Sequence, residues 1–203
     1  MEPLEKILSI SEAIVAQITE NILSGGLPGG AELTQEELAD TFGVSRMPVR
    51  DALASLEKRG LVERLPNRHI RVSRITADHM LQIFSTIALC QGQCLESLAR
   101  DKAGWDAFVA QAPDEITSGT MLRFHRALVQ AVACVYLRSL LADMTETFVR
   151  VGLHTPDAAC CESFRRYRRA LEARDLPECR RALLDHGLAM GRRVVAGLAC
   201  HEE

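Results

Sequence analysis

Residues 34–60 constrain the fold more than any other part of the chain. Thr34-Gln35-Glu36-Glu37 has the pattern of a capping box, in which a hydroxyl takes an orphan N–H and the glutamate reaches back to the cap. The helix it opens carries Leu38 and Phe42 and stops at Gly43. After a one-residue turn Ser45 is the next N-cap, with Pro48 in the first turn, where its missing N–H costs nothing. Val49, Leu53 and Leu56 then recur on one helical face until Gly60. Residues 61–65 and 69–73 alternate apolar and polar side chains around Pro66-Asn67-Arg68, which predicts a β-hairpin. Upstream, Ile7, Ile10, Ile14, Ile18 and Ile22 predict a helix over residues 4–24, closed by the turn Gly25-Gly26-Leu27-Pro28-Gly29-Gly30. Helix, helix, turn, helix, hairpin is the order of a winged helix-turn-helix.

Charge is partitioned to match. The whole chain of 203 residues is net −3. Residues 1–43 hold one base against eight acids, net −7, whereas residues 44–74 hold eight bases against three acids, net +5. A phosphate responds to the local patch, because attraction acts within about one Debye length, roughly 8–10 Å. Hydrophobic residues at 47% and charged residues at 25% give a globular composition with enough apolar surface for a core. Aromatics at 4% argue against a β-sandwich and against a base-stacking single-strand binder. No run of about 18 apolar residues free of charge is present, so no membrane partner is expected. The start Met1-Glu2-Pro3-Leu4-Glu5-Lys6 lacks a basic-then-apolar signal pattern, and a cytoplasmic protein with reduced thiols is expected.

From Ile75 onward every periodic segment is helical. Thr76 caps a helix to about residue 101, with Met80, Ile83, Ile87, Cys90, Cys94 and Leu98 on one stripe. A short helix over 105–111, a helix over 120–135 and another over 137–153 follow. Thr155-Pro156 caps a helix to residue 174, and Asp175-Leu176-Pro177 opens the last, with Leu183, His186, Met190 and Val194 inward. The expected fold class is mainly α: a winged helix-turn-helix over residues 1–74, then an all-α antiparallel bundle over residues 75–203.

Arg46 and Arg50 lie four apart on one face, at the start of the second helix of the helix-turn-helix, where side chains meet base edges. An arginine there can donate a bidentate pair to guanine, worth about 1–3 kcal/mol of discrimination. Two solvated arginines on a surface helix are the plainer alternative, and the basic hairpin that follows weighs against it.

Leu27-Pro28-Gly29, Leu38-Ala39, the run Phe42-Gly43-Val44-Ser45-Arg46-Met47-Pro48-Val49-Arg50-Asp51-Ala52-Leu53, and Gly60-Leu61-Val62 resemble the GntR family of bacterial transcription regulators. The resemblance spans residues 7–73 and continues through Pro66-Asn67-Arg68-His69-Ile70-Arg71-Val72, with His69 where the family has glycine. It implies a transcription regulator, not an enzyme, that binds double-stranded operator DNA as a homodimer. Ser45 would sit at phosphate, Pro48 between the base-reading Arg46 and Arg50, and Arg68 and His69 in the wing.

The helical remainder resembles the FadR-type effector domain, often called FCD, through Phe124-His125-Arg126-Ala127-Leu128, the segment Ala170-Leu171-Glu172-Ala173-Arg174-Asp175, and His186. That resemblance implies a small organic acid effector and, in many such domains, a divalent metal such as zinc or nickel on one aspartate and three histidines. Only His125 and His186 match, with Met121 and Phe164 standing at the other two positions. Two histidines cannot saturate an ion without help. On apolar stripes both also fit as ordinary core residues. The four positions form an expected effector pocket.

The remaining alternatives concern thiols and basic residues. Cys90 and Cys94, four apart, can serve a metal or an oxidation, or pack as small hydrophobes. Cys160-Cys161 leaves room for a thiol sensor. Arg165-Arg166-Tyr167-Arg168-Arg169 reads as a solvated or interface face with Tyr167 toward the core. A helical domain that only dimerises, and a metal- or thiol-dependent enzyme, complete the set; no nucleophile–base motif or phosphate loop supports the enzyme.

Overall fold

The computed structural model describes residues 9–66 and 69–199. The element order is α1 (Ile10–Leu23), β1 (Glu32–Leu33), α2 (Gln35–Phe42), α3 (Arg46–Lys58), β2 (Val62–Arg64), β3 (Ile70–Val72), α4 (Ala77–Leu98), α5 (Lys102–Val109), α6 (Ser118–Gln130), α7 (Val135–Met144), a π-helical turn (Thr145–Val149), α8 (Arg150–Gly152), α9 (Ala158–Glu172) and α10 (Leu176–Ala199). The chain divides into two compact units, one holding the described residues up to Ile75 with those from Ala196 on, the other Thr76–Val195.

In the first unit α1 begins at a capping box, Ser9 with Glu12. The part of the expected helix over residues 4–8 lies outside the described residues. The α1 helix packs on α3; Ile14, Ile18 and Ile22 are buried on the first and Val49, Leu53 and Leu56 on the second. Each such side chain contributes about 1.5–3 kcal/mol by leaving water. Gly43 closes α2 at φ 64°, a left-handed conformation that favours glycine and turns the chain into α3 without a longer loop. The hairpin of β2 and β3 is joined by a strand that sequence reasoning missed. Glu32 and Leu33 pair antiparallel with Arg71 and Ile70, giving the order β1-β3-β2. A strand of two residues is too short to show alternation.

In the second unit α4 packs against α5, α6 and α7. Its buried face is Met80, Phe84, Ile87, Gln91, Cys94 and Leu95, so Ile83, Cys90 and Leu98 of the expected stripe flank it half-buried. The α9 cap is Asp157, whose carboxylate accepts from Cys160 N at 2.7 Å, two residues beyond the expected Thr155. One long helix over 137–153 is instead α7, the π-helical turn and α8. A π-turn inserts one residue into the ladder and leaves the apolar period nearly unchanged, which is why the sequence does not announce it. Phe108 stacks on Phe124 at 4.7 Å, and Phe164 meets Phe124 edge-on at 5.9 Å, forming an aromatic centre between α5, α6 and α9. Among the described residues no helix is long and apolar enough to cross a membrane.

Candidate functional site

The basic site is built on α3. Ser45 is its N-cap by backbone conformation, with φ −70° and ψ 162°, but its side chain makes no capping bond. The hydroxyl is therefore not spent on the helix, unlike that of Thr34, which accepts from Glu37 N at 3.2 Å and donates to Glu37 Oε2 at 2.7 Å. That exchange replaces the expected return bond from Glu37 to the cap backbone. Arg46, Met47 and Arg50 are exposed and Pro48 is half-buried, while Val49, Ala52, Leu53 and Leu56 are buried. The helix is thus clamped by one face and offers the other.

Acids that sequence reasoning did not single out meet these cations. Arg46 Nη2 donates to Glu36 Oε1 at 2.6 Å. His69 Nδ1 lies 2.9 Å from Glu32 Oε2, a pairing that exists because β1 runs beside β3. Arg71 pairs with Glu63 at 2.8 Å and Arg64 with Glu57 at 3.2 Å. The proposed wing contact Arg68 lies outside the described residues.

The second site is buried in the helical unit. His125 on α6 and His186 on α10 stack with ring centroids 5.3 Å apart and planes 8° from parallel. Phe164 stands against both, 6.2 Å from His125 and 5.3 Å from His186. Met121 is buried one turn before His125 on α6. The two histidines are 2% and 0% exposed. Burial, with mutual repulsion, drops the His125 pKa to about 3, and burial drops that of His186 to about 4, partly opposed by the Cys160 carbonyl. Both rings are neutral at physiological pH.

His186 Nδ1 is 3.1 Å from the Cys160 carbonyl oxygen, 3.3 Å from Ser163 Oγ and 3.6 Å from Cys160 Sγ. Nε2 of both histidines is buried and meets no partner among the described residues, and the same holds for Tyr167 OH and Thr145 Oγ1. An unmade hydrogen bond of this kind costs about 1–3 kcal/mol. No sequence signal ties Cys160 or Ser163 to His186, because the pairing crosses helices.

A divalent metal does not fit these residues. Among the described residues no three His, Cys, Asp or Glu side chains gather closely enough to hold an ion. Of the four expected positions only His125 and His186 carry a ring nitrogen, and Met121 and Phe164 bring neither nitrogen nor oxygen to an ion. The Cys160 thiol is pushed up to about 12, chiefly by burial, and stays protonated. His125 and His186 alone leave a tetrahedral or octahedral ion short of ligands.

The arginine run on α9 is engaged within the unit. Arg166 reaches Glu178 at 2.6 Å and Asp185 at 2.7 Å, and Arg168 donates to the Pro113 carbonyl at 2.8 Å. Tyr167 between them is buried.

Residues 10–72 match the family described as bacterial regulatory proteins, gntR family. YdhC of Bacillus subtilis (strain 168), an HTH-type transcriptional regulator, is 26% identical over 77% of this chain and 76% of its own length. BphR of Paraburkholderia xenovorans (strain LB400), another HTH-type transcriptional regulator, is also 26% identical, over 91% of this chain and 84% of its own. Among solved structures, E. coli McbR/YncC has a TM-score of 0.59 at 18% identity, covering 97% of this chain and 100% of that one. A GntR regulator from Rhodococcus sp. RHA1 gives 0.59 at 17%, covering 93% and 99%. At such identities the structures establish a shared fold. These relatives are named as regulators, and none as an enzyme.

Proposed function

The chain is a transcriptional regulator with a gntR-family DNA-binding domain, and from that premise we propose that it reads a roughly palindromic operator as a homodimer, under the control of a small effector held in its helical unit. The observation that carries this reading is the polarity of α3: Arg46 and Arg50 stand exposed in its first turns while Val49, Leu53 and Leu56 are buried beneath. The N-terminal turns of such a helix enter the major groove, and arginine matches the O6 and N7 of guanine. Ser45 contacts phosphate through its uncommitted hydroxyl, Pro48 fixes the first turn, and Arg68 and His69 reach the neighbouring groove.

A two-fold operator calls for a two-fold protein. Val135 and Tyr136 at the start of α7, 68% and 81% exposed, stand open with Leu140, and Leu89 does so on α4, the helix α7 packs against. Apolar side chains grouped like this support self-association of the helical unit. The buried unpartnered atoms of His125, His186 and Tyr167, which share one cluster of rings, support an effector site rather than a unit that only dimerises. An effector that binds one arrangement of the unit better shifts the population, and with it the DNA affinity. The expected location is the cytoplasm.

The test is equilibrium binding of the purified chain to DNA from upstream of its own gene. The logarithm of the affinity should fall linearly with the logarithm of salt concentration. Binding that is absent, or indifferent to salt, contradicts the proposal.

A further inference from the structure

His186 has its proton fixed by its neighbours. Nδ1 lies 3.1 Å from the Cys160 carbonyl oxygen, which can only accept, so Nδ1 carries the hydrogen. Ser163 Oγ agrees with this: it donates to the Ala159 or Cys160 carbonyl, at 2.8 and 2.9 Å, and turns a lone pair toward Nδ1 at 3.3 Å. In a neutral ring, a protonated Nδ1 leaves Nε2 as a bare acceptor. That atom is buried and meets no donor among the described residues. Its stacking partner His125 also has a buried Nε2 without a partner, and Tyr167 OH is a third such atom in the same cluster of rings.

We propose that His186 Nε2 is the recognition point of a metal-free ligand site, and that its ligand binds by donating a hydroxyl or N–H to that atom. This deepens, and rests on, the effector-controlled regulator proposed above. The other two expected ligand positions hold Met121 and Phe164, both buried, which bring neither nitrogen nor oxygen to the rings. The acceptor is therefore left for hydrogen bonding rather than for an ion. Phe164, standing against both imidazoles, supplies an apolar wall for the body of the ligand. An alcohol, phenol, amide or hydroxy acid meets the requirement. A simple carboxylate, which has no donor at neutral pH and no ion to bridge it, does not.

The experiment uses the full chain with 15N in its histidine rings, observed by long-range 15N–1H NMR at neutral pH. Phenol is the donor probe, anisole its O-methyl ether without a donor, and zinc ion the metal probe. His186 should show protonated Nδ1 and bare Nε2. Phenol should move the Nε2 resonance and saturate, anisole should bind about tenfold more weakly or not at all, and zinc should leave both rings unmoved. A proton on Nε2, equal responses to phenol and anisole, no response to phenol, or a zinc shift of both rings overturns the proposal. DNA binding by the same sample is followed by fluorescence anisotropy. A failed probe result with DNA binding intact removes only this site. Absent DNA binding removes the regulator reading and leaves the tautomer and probe results to decide the site.

Discussion

Arg46 Nη2 lies 2.6 Å from Glu36 Oε1, so the first turn of α2 holds the foremost cation of α3. Both side chains are about two-thirds exposed, and a pair of that kind is worth about 0.2–1 kcal/mol. The Glu36 carboxylate steadies the guanidinium but also opposes phosphate. Replacing it by glutamine, E36Q, should raise affinity for random-sequence DNA at low salt by about 1.5- to 5-fold, read by fluorescence anisotropy. No change at low salt would mean that Glu36 does not face the DNA.

The winged helix-turn-helix was legible in the sequence because each junction has its own local chemistry. Gly43, Pro48 and Gly60 act within a few residues of themselves, and the structure uses each where the sequence places it, while Ser45 takes the N-cap position by its backbone alone. Glu36 and Glu32 were not legible as partners of Arg46 and His69. One partnership needs the angle between two helices and the other needs a two-residue strand. In the helical unit, periodicity placed His125 and His186 inward but could not say that they stack. The hydrogen bond that fixes the tautomer of His186 comes from α9, a helix away.

Stability should depend on pH through the buried histidines. Their folded pKa values, about 3 and about 4, lie below the ordinary 6.5, so between about pH 4 and 6.5 the unfolded chain binds more protons. Their contribution is complete above about pH 6.5 and is lost as pH falls, with an upper slope of about 1.4 kcal/mol per pH unit for each ring. Urea unfolding followed by Trp105, the single tryptophan, buried in α5 of the helical unit, reads this directly. The double variant His125→Leu/His186→Leu should flatten the slope. An unchanged slope would place the titration elsewhere.

Gly187 sets how closely α10 approaches α4. A Cβ there would lie 2.8 Å from the Phe84 carbonyl oxygen and 3.1 Å from Ala88 Cβ. The first neighbour is backbone and cannot swing away. Gly187→Ala should therefore destabilise the helical unit by about 1–3 kcal/mol, as over-packing does, lowering the urea midpoint seen by Trp105. A neutral result would show that the two helices separate at no cost.

Self-association should run through the start of α7. Tyr136 is the most exposed of the large apolar side chains there, and Tyr136→Glu places a charge where a partner would bury an aromatic ring. Light scattering should give a dimer for the parent chain and about tenfold or more weaker association for the variant. A dimer of unchanged strength would move the interface to another surface, and a monomeric parent would remove the homodimer.

The central claim is that α3 reads bases, and Arg46→Ala tests it most directly. Affinity for the upstream DNA and for scrambled DNA of equal length is measured at one salt concentration. The variant should lose about 1–3 kcal/mol on the upstream site, roughly 5- to 150-fold, with a much smaller loss on scrambled DNA. Equal losses on both would make Arg46 a phosphate contact and contradict base reading by the first turn of α3.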